Sequence, residues 1–350
     1  MSKIPVGILG ATGTVGQRFV QLLLDHPWFE IAALTGSTRT IGRSYGEGVN
    51  WKLEGDPPPE IAKMIVQATE PNLAVKIVFS ALPTTQAKEV EPRFAAAGYA
   101  VCTNASSYRM TDDVPLLVPE VNPDHAQLID TQRKKRGWDG FIIANANCST
   151  TTAILPLKIW QAAFGLEAVH MVTMQAISGA GYPGVPSLDI LGNVVPYIGK
   201  EDHKLETESR KMLGKFVNGS IEYADFKVSA QANRVPVLNG HLCSMSVGFG
   251  RRVTPEEGIA AFEDWQIPAH VRALPSCPDR LLVYRHEPDR PQPRLDSYWG
   301  DGLAWTVGKV TKCGIHDLKM MALSHNTLRG AASGSVLNAE LLVTQGYIAR

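Results

Sequence analysis

The stretch VGILGATGTVGQRF (residues 6–19) constrains this chain more than any other. An apolar run leads into glycines at 10, 13 and 16, and an amphipathic stretch follows, so the segment reads as strand, tight turn and helix. Glycines at these places let the backbone approach a diphosphate. The N–H groups of the first helical turn, with the helix dipole behind them, then hold the anion. The spacing is G-x-x-G-x-x-G in place of the commoner G-x-G-x-x-G, and a glycine triplet alone serves a structural turn equally well. Here the matching flanks favour the nucleotide reading.

β-rich and helical stretches go on alternating through the first half. Strands are expected at 4–10, 30–36, 75–82, 99–103 and 141–146, and helices at 14–25 and 86–97, stopped by His26-Pro27 and by Gly98. That pattern belongs to the α/β class and predicts a Rossmann-type doubly wound parallel sheet. Residues 42–71, with Gly55, Pro57, Pro58 and Pro59, interrupt it as an irregular excursion. Beyond Cys148 a long helix at 150–163 precedes β-runs at 167–177, 226–232, 242–249, 281–285, 303–311 and 316–323. Strands now outnumber helices, which predicts an α+β catalytic and dimerisation domain on a mostly antiparallel sheet. The expected division is 1–147 for the nucleotide and 148–326 for catalysis, with the helical segment 327–350 returning to the first unit. The Pro-rich piece 287–296 is expected to be an ordered turn.

Composition narrows the partners. A chain of 350 residues with 44% apolar residues has enough material for two packed cores. Lys+Arg and Asp+Glu both total 34, which removes the positive field that nucleic acid or an anionic membrane would need. No run approaches the roughly 18 consecutive apolar residues of a membrane span, and MSKIPVGILG lacks the layout of a signal peptide. A soluble cytoplasmic protein acting on small molecules is therefore expected. Cys102, Cys148, Cys243, Cys277 and Cys313 form no C-x-x-C pair, so neither a disulfide framework nor a metal site is expected.

Three places carry chemistry. After the second strand, where an NAD enzyme commonly offers a carboxylate to the ribose, the chain reads Thr35-Gly36-Ser37-Thr38-Arg39. Hydroxyls and a guanidinium suit a 2′-phosphate and argue for NADP, although taken alone they fit a solvated loop as well. Ser80, at the end of the next strand, is expected to meet the same cleft.

In NANCSTTTAILPL (145–157), Cys148 stands between an apolar strand and a helix. A helix N-terminus lowers a thiol pKa and stabilises a nearby oxyanion. By position alone a buried cysteine at a strand end is the commoner outcome, but only Cys148 has this junction, flanked by Asn145, Asn147, Ser149 and Thr150. A dehydrogenase with a thiol nucleophile works between the aldehyde and acyl levels through a thioester. The base expected for it is His241, which opens a strand after Leu238-Asn239-Gly240, seven residues beyond Arg234. Without further support the pair would read as a turn histidine and a surface cation.

That support is a resemblance. GATGTVGQRF, NASSYRM, VPEVNP, NANCSTT, TMQAISGAGYPGVPSLDILGNVVPYI, NRVPVLNGH, DRPQPRLD and ALSHNTLRGAA together resemble the aspartate-semialdehyde dehydrogenases, in particular their fungal and archaeal branch. The resemblance runs from the first strand to the last helix. It implies NADPH-dependent reduction of L-aspartyl 4-phosphate to aspartate 4-semialdehyde and phosphate, on the route to Lys, Thr and Met, by a homodimer or homotetramer. By the same resemblance Cys148 is the nucleophile, His241 the acid/base, Gln175 the glutamine that orients the acyl group, and Asn147 the asparagine before the cysteine. Arg234 pairs with the substrate α-carboxylate, and Arg109 binds phosphate. Glu208 and Lys211, in ETESRKML, supply contacts to the amino group and phosphate. Gly10, Thr12, Gly13, Thr14, Val15, Ser37 and Arg39 make the dinucleotide loop, and Asn326 lies near the nicotinamide. Electrostatically, two arginines, a glutamate and a lysine complement a substrate with a carboxylate, an ammonium and an acyl phosphate.

Two relatives use the same thioester logic. A malonyl-CoA reductase of archaeal type differs at the residue before the nucleophile and in the SSYR segment, so Asn147 and Arg109 favour the aspartyl phosphate. An N-acyl-glutamyl-phosphate reductase would carry a G-C-Y-P nucleophile motif, which is absent. A non-catalytic nucleotide sensor on this fold is disfavoured because nucleophile, base and substrate arginine are all present.

Overall fold

The computed structural model describes residues 2–349. The apolar run after Lys3 forms β1 (Ile4–Leu9), which is joined by β2 (Phe29–Leu34), β3 (Ile77–Ser80), β4 (Ala100–Thr103), β5 (Leu116–Leu117) and β6 (Phe141–Asn145). They make one sheet in the order β2-β1-β3-β4-β6-β5, parallel at every pairing. Val6, Ile8, Ile77, Phe79, Val101, Ile142 and Ile143 are fully buried. Such unbroken apolar runs suit strands covered on both faces. From β1 the order leaves in opposite directions to β2 and β3, which opens a crevice beyond their C-terminal ends. The two-residue β5 is too short to register as a periodic run.

The excursion at 42–71 is ordered, and it braces the glycine loop from outside. The Tyr45 hydroxyl donates to Ala11 O at 2.9 Å, while the Gln17 amide donates to Thr12 O and Asn50 O and accepts from Lys52 N–H.

The second half forms β7 (Ala168–Gln175), a small hairpin of β8 (Lys215–Val217) and β9 (Ser220–Glu222), then β10 (Lys227–Arg234), β11 (His241–Gly248), β12 (Leu282–Arg285), β13 (Trp305–Lys312) and β14 (Leu318–Ser324). The larger sheet runs β10-β7-β11-β14-β13-β12. Its central pairings are antiparallel, as expected, while the outer pairs β10/β7 and β12/β13 are parallel. The Cys148–Phe164 helix covers one face, packing Ile154, Leu157 and Trp160 in one core with Val169, Met171, Met245 and Met320. On the opposite face Val172, Met174, Leu242, Ser244 and Met321 stay only partly buried.

One helix that matters to the site, Glu201–Met212, shows only a weak apolar period because its buried face mixes Leu205 and Met212 with the polar Glu201, Glu208, Ser209 and Lys211. Asp202 and Glu206 accept the edge-strand N–H groups of Ala232 and Ala230 in β10, which fixes the helix to the sheet. The Pro-rich 287–296 segment is ordered around Asp296, which is buried against the Arg290 guanidinium and accepts from Gln292 N–H. The C-terminal segment divides into a π-turn, Leu328–Ala332, and the helix Ser333–Thr344, which packs on β3, β4 and β6. Among the described residues no helix is long and apolar enough to cross a membrane.

Candidate active site

At the crevice Gly10 has φ +74, and a Cβ there would stand 3.1 Å from Ala81 O, so both conformation and space demand glycine. At Gly16 a Cβ would meet Gly10 O at 2.3 Å, which lets the helix lie directly on the loop. Gly13 opens the Thr14–Leu23 helix with no side-chain cap, so no capping side chain takes its first-turn N–H groups from an incoming anion. Thr12, Thr14 and Val15 are partly exposed beside it, and Ser37 and Arg39 are exposed after β2. Ser80 departs from expectation. It is fully buried with the rest of β3 and faces Glu91, so its side chain does not line the crevice. Asn326 is buried, and its amide braces two loops, accepting from Gly240 N–H at 2.9 Å and donating to Ser178 Oγ at 2.8 Å.

The catalytic end of the second sheet follows from strand direction. β7 and β10 run parallel and finish together at Gln175 and Arg234, which are register partners. β11 runs the other way and starts there with His241, opposite Ser324 at the end of β14. Asn147 caps the helix beginning at Cys148, its Oδ1 accepting from the N–H groups of Ser149 at 2.9 Å and Thr150 at 3.2 Å. Cys148 Sγ then lies 3.2 Å from His241 Nε2. The π-turn closes over it, where a Cβ on Gly330 would stand 2.7 Å from that of Cys148. Gly179 likewise lies against His241 and the Arg234 guanidinium, 2.9 Å from each by the same measure.

The lowered thiol pKa expected at a helix N-terminus is not found. Burial first, then the Glu201 charge, push Cys148 up to about 11, against the opposing pull of Arg109, Arg234 and Lys204. A helix terminus contributes about 0.3–2 kcal/mol, roughly one and a half pKa units at best, which is too little to offset desolvation. The proton-accepting role expected of His241 also meets a constraint. Its Nδ1 accepts from Ala176 N–H at 3.1 Å, so the neutral ring carries its proton on Nε2, the nitrogen facing sulfur. Burial, with Arg234 and His325 nearby, holds the ring's pKa down at about 3. In this arrangement His241 donates toward Sγ.

The charged residues sort into two layers. Glu201 accepts from the Asn147 amide at 3.0 and 3.2 Å and from Gln175 Nε2 at 3.3 Å, and pairs with Lys204 at 2.5 Å. Lys204 keeps 28% of its side chain exposed. Arg234, buried, donates to Ala176 O, and burial lowers its pKa while Cys148 and Glu201 act to raise it. Glu208 and Lys211 lie one layer deeper. Glu208 bridges Arg109 Nη1 and Asn147 N–H, and Lys211 Nζ is consumed by three backbone carbonyls. The sequence contains the Glu-x-x-Lys pattern twice in EDHKLETESRKM, and the earlier copy, Glu201 with Lys204, is the one beside the nucleophile.

Two family models match the chain, "Semialdehyde dehydrogenase, NAD binding domain" over residues 5–129 and "Semialdehyde dehydrogenase, dimerisation domain" over 157–329. The aspartate-semialdehyde dehydrogenase of Archaeoglobus fulgidus is 51% identical over 348 residues, 99% of this chain and 100% of the relative. That of Schizosaccharomyces pombe is 46% identical, covering 98% of this chain and 99% of its own. A crystal structure of aspartate semialdehyde dehydrogenase with NADP from Candida albicans superposes with TM-score 0.90 at 39% identity, covering 99% of this chain and 100% of that one.

Proposed function

The chain belongs to the aspartate-semialdehyde dehydrogenase family, and from that premise we propose that it interconverts L-aspartyl 4-phosphate with aspartate 4-semialdehyde and phosphate, using NADP(H), through a thioester on Cys148. The observation that carries this reading is the 3.2 Å contact of Cys148 with His241 at the sheet end where Gln175 and Arg234 also arrive.

The substrate's groups have partners around the sulfur. Arg234 suits the α-carboxylate, Glu201 the ammonium, and Arg109 with Lys204 the phosphate. Glu201 and Lys204 take the places expected for Glu208 and Lys211, because Glu201 meets the Asn147 and Gln175 amides and Lys204 stays partly exposed, whereas Glu208 and Lys211 are committed to buried partners. The Cys148 thiolate, its proton given up to solvent beforehand, attacks the acyl carbon; the C–S bond forms and the C–O bond to phosphate breaks with Arg109 and Lys204 holding the leaving group. The Nε2–H of His241 stabilises the thiolate and the oxyanion, and Gln175 fixes the acyl group. Bound NADPH supplies the hydride that takes the thioester to a hemithioacetal. Cys148 then leaves as thiolate, and the aldehyde is released.

The glycine loop with its uncapped helix start fits the diphosphate, and the absence of a carboxylate after β2 fits a 2′-phosphate. Arg39→Ala should raise the KM for NADPH several times more than that for NADH, as read from initial rates with both cofactors. Equal effects would remove Arg39 from the 2′-phosphate.

The partly buried sheet face at Val172, Met174, Leu242 and Met321 is continuous in kind with the exposed apolar residues Tyr182, Leu188, Leu191, Val194 and Tyr197. We read these as the contact with a second copy of the chain. Sedimentation velocity should return a dimer or tetramer that Leu188→Asp with Leu191→Asp weakens, and a wild-type monomer would reject the assignment.

The direct test of function is phosphorolytic. Aspartate semialdehyde, phosphate and NADP should together produce NADPH, and omission of phosphate should stop it. Turnover with malonyl-CoA and NADPH alone would move the substrate to the CoA class, and silence in both assays would favour a non-catalytic sensor.

A further inference from the structure

We infer that Glu208 and Lys211 are positioning residues that lock the phosphate-binding arginine, Arg109, in register with the loop carrying the nucleophile. The inference rests on the reading of Arg109 as a phosphate ligand. Arg109 follows β4, whereas Asn147 and Cys148 follow β6, so their relative placement is not set by one element of the first sheet. A single carboxylate from the second half of the chain spans them. Glu208 Oε1 accepts from Arg109 Nη1 at 3.2 Å, and its Oε2 accepts from the N–H of Asn147, the residue before the nucleophile, at 2.7 Å. Arg109 Nη2 donates to Asn104 O at 2.8 Å, and Nε, though buried, has no protein partner. The guanidinium is thus held from two sides, with the buried Nε–H among the donors left unspent.

Lys211, one turn on, fixes the same loop by its backbone. Its ammonium donates to the carbonyls of Arg109 at 2.8 Å, Thr111 at 2.8 Å and Val114 at 2.9 Å. Side chain and main chain of the arginine's loop are therefore both tied to the Glu201–Met212 helix, whose first turn carries Glu201, bonded to the Asn147 and Gln175 amides, and its partner Lys204. Glu208 is 1% exposed and Lys211 fully buried, so neither can turn outward to meet a substrate without leaving these partners.

Two effects of removing the Glu208 charge oppose each other. Electrostatically, a neutral side chain leaves Arg109 more strongly positive and should tighten phosphate binding. Geometrically, a glutamine places an NH₂ against one of two donors, so either the arginine or the Asn147 backbone loses its anchor. The positioning reading requires the second effect to win. In the phosphorolytic assay, Glu208→Gln should raise the KM for phosphate about 10- to 100-fold, with the KM for aspartate semialdehyde and for NADP within about twofold of wild type. In an Arg109→Ala background the same substitution should add no further change to the phosphate KM. Lys211→Met should move the phosphate KM in the same direction.

A fall or no change in phosphate KM, or additive effects of Glu208→Gln and Arg109→Ala, overturns the inference. Melting temperatures measured alongside separate it from a purely structural role, which would lower stability and kcat without singling out phosphate. If Glu208→Gln does not fold, Glu208→Asp keeps the charge but is one methylene short of spanning both donors, and the same selective rise is expected of it. Wild-type protein lacking phosphate-dependent turnover would overturn this inference and the proposed function together. Active wild type with an unmoved phosphate KM in the variants overturns the inference alone.

Discussion

Cys148→Ala should reduce phosphate-dependent NADPH formation by about 10,000-fold or more, because a thioester route has no substitute nucleophile. The substitution should leave the fold intact. Alanine removes only Sγ from a side chain that the π-turn already crowds at Gly330, and Asn147 still caps the helix through its own Oδ1. The other cysteines cannot stand in. Cys102 and Cys243 are fully buried in strands, where burial raises both thiols, and Cys277 is raised as well. At Cys313, in the turn between β13 and β14, burial acts to raise the thiol but the backbone N–H groups of its own turn and the Lys319 charge together lower it. A general alkylating reagent is therefore expected to attack Cys313 as well as Cys148, so substitution and not chemical labelling is the decisive measurement. NADP affinity, followed by fluorescence titration, should stay within about threefold, since the glycine loop lies on the other unit. Residual phosphate-dependent turnover of even a few per cent of wild type would remove Cys148 from the role of nucleophile.

The parts of this site visible in the sequence are those where local chemistry and backbone geometry coincide. The glycine loop is legible because Gly10 takes a left-handed φ of +74 and Gly16 packs on Gly10 and Ala11, both local demands. The Cys148 junction is legible because a strand, a capping asparagine and a helix succeed one another in a dozen residues. His241 and Arg234 were findable because they flank one bend, although their arrival beside Gln175 depends on the parallel register of β10 and the antiparallel register of β11 with β7, which no short-range pattern encodes. The Glu201–Met212 helix was not legible, since its inward face carries charges among only two apolar residues, Leu205 and Met212, too few for a clear stripe. That is also why the two Glu-x-x-Lys copies could not be told apart. Their difference lies in depth, and depth is decided by the packing of the helix against β10 and the Arg109 loop. The thiol's acidity is not legible in the sequence for a related reason: the helix terminus is a local feature, while the burial that opposes it is assembled from both halves of the chain.

His241→Ala should lower kcat by about 100- to 10,000-fold, the range for losing a positioned acid–base or oxyanion-stabilising group. The more informative substitution is His241→Gln. The ring accepts Ala176 N–H at Nδ1 and presents Nε2–H to sulfur, so its resting role is that of a donor. Taking the thiol proton at Nε2 would require the other tautomer, with an N–H at Nδ1 facing the Ala176 N–H. The loop 177–180 would have to move, yet Gly179 packs on the ring and on Arg234, and Ala176 O accepts from that arginine. Glutamine has an NH₂ that reaches the place of Nε2 and a carbonyl able to accept a backbone N–H. If donation is the function, His241→Gln should retain at least about tenfold more kcat than His241→Ala. If proton abstraction is the function, both should fall equally, since neither side chain is a base. The pH profile of the free enzyme gives an independent reading. With the ring held near 3 and the thiol near 11, kcat/KM should climb through pH 6–9 as thiolate accumulates, with no histidine limb between 6 and 7. A limb in that interval, together with equal losses in the two variants, would restore His241 to the part of a base and require the Ala176 contact to break when substrate binds.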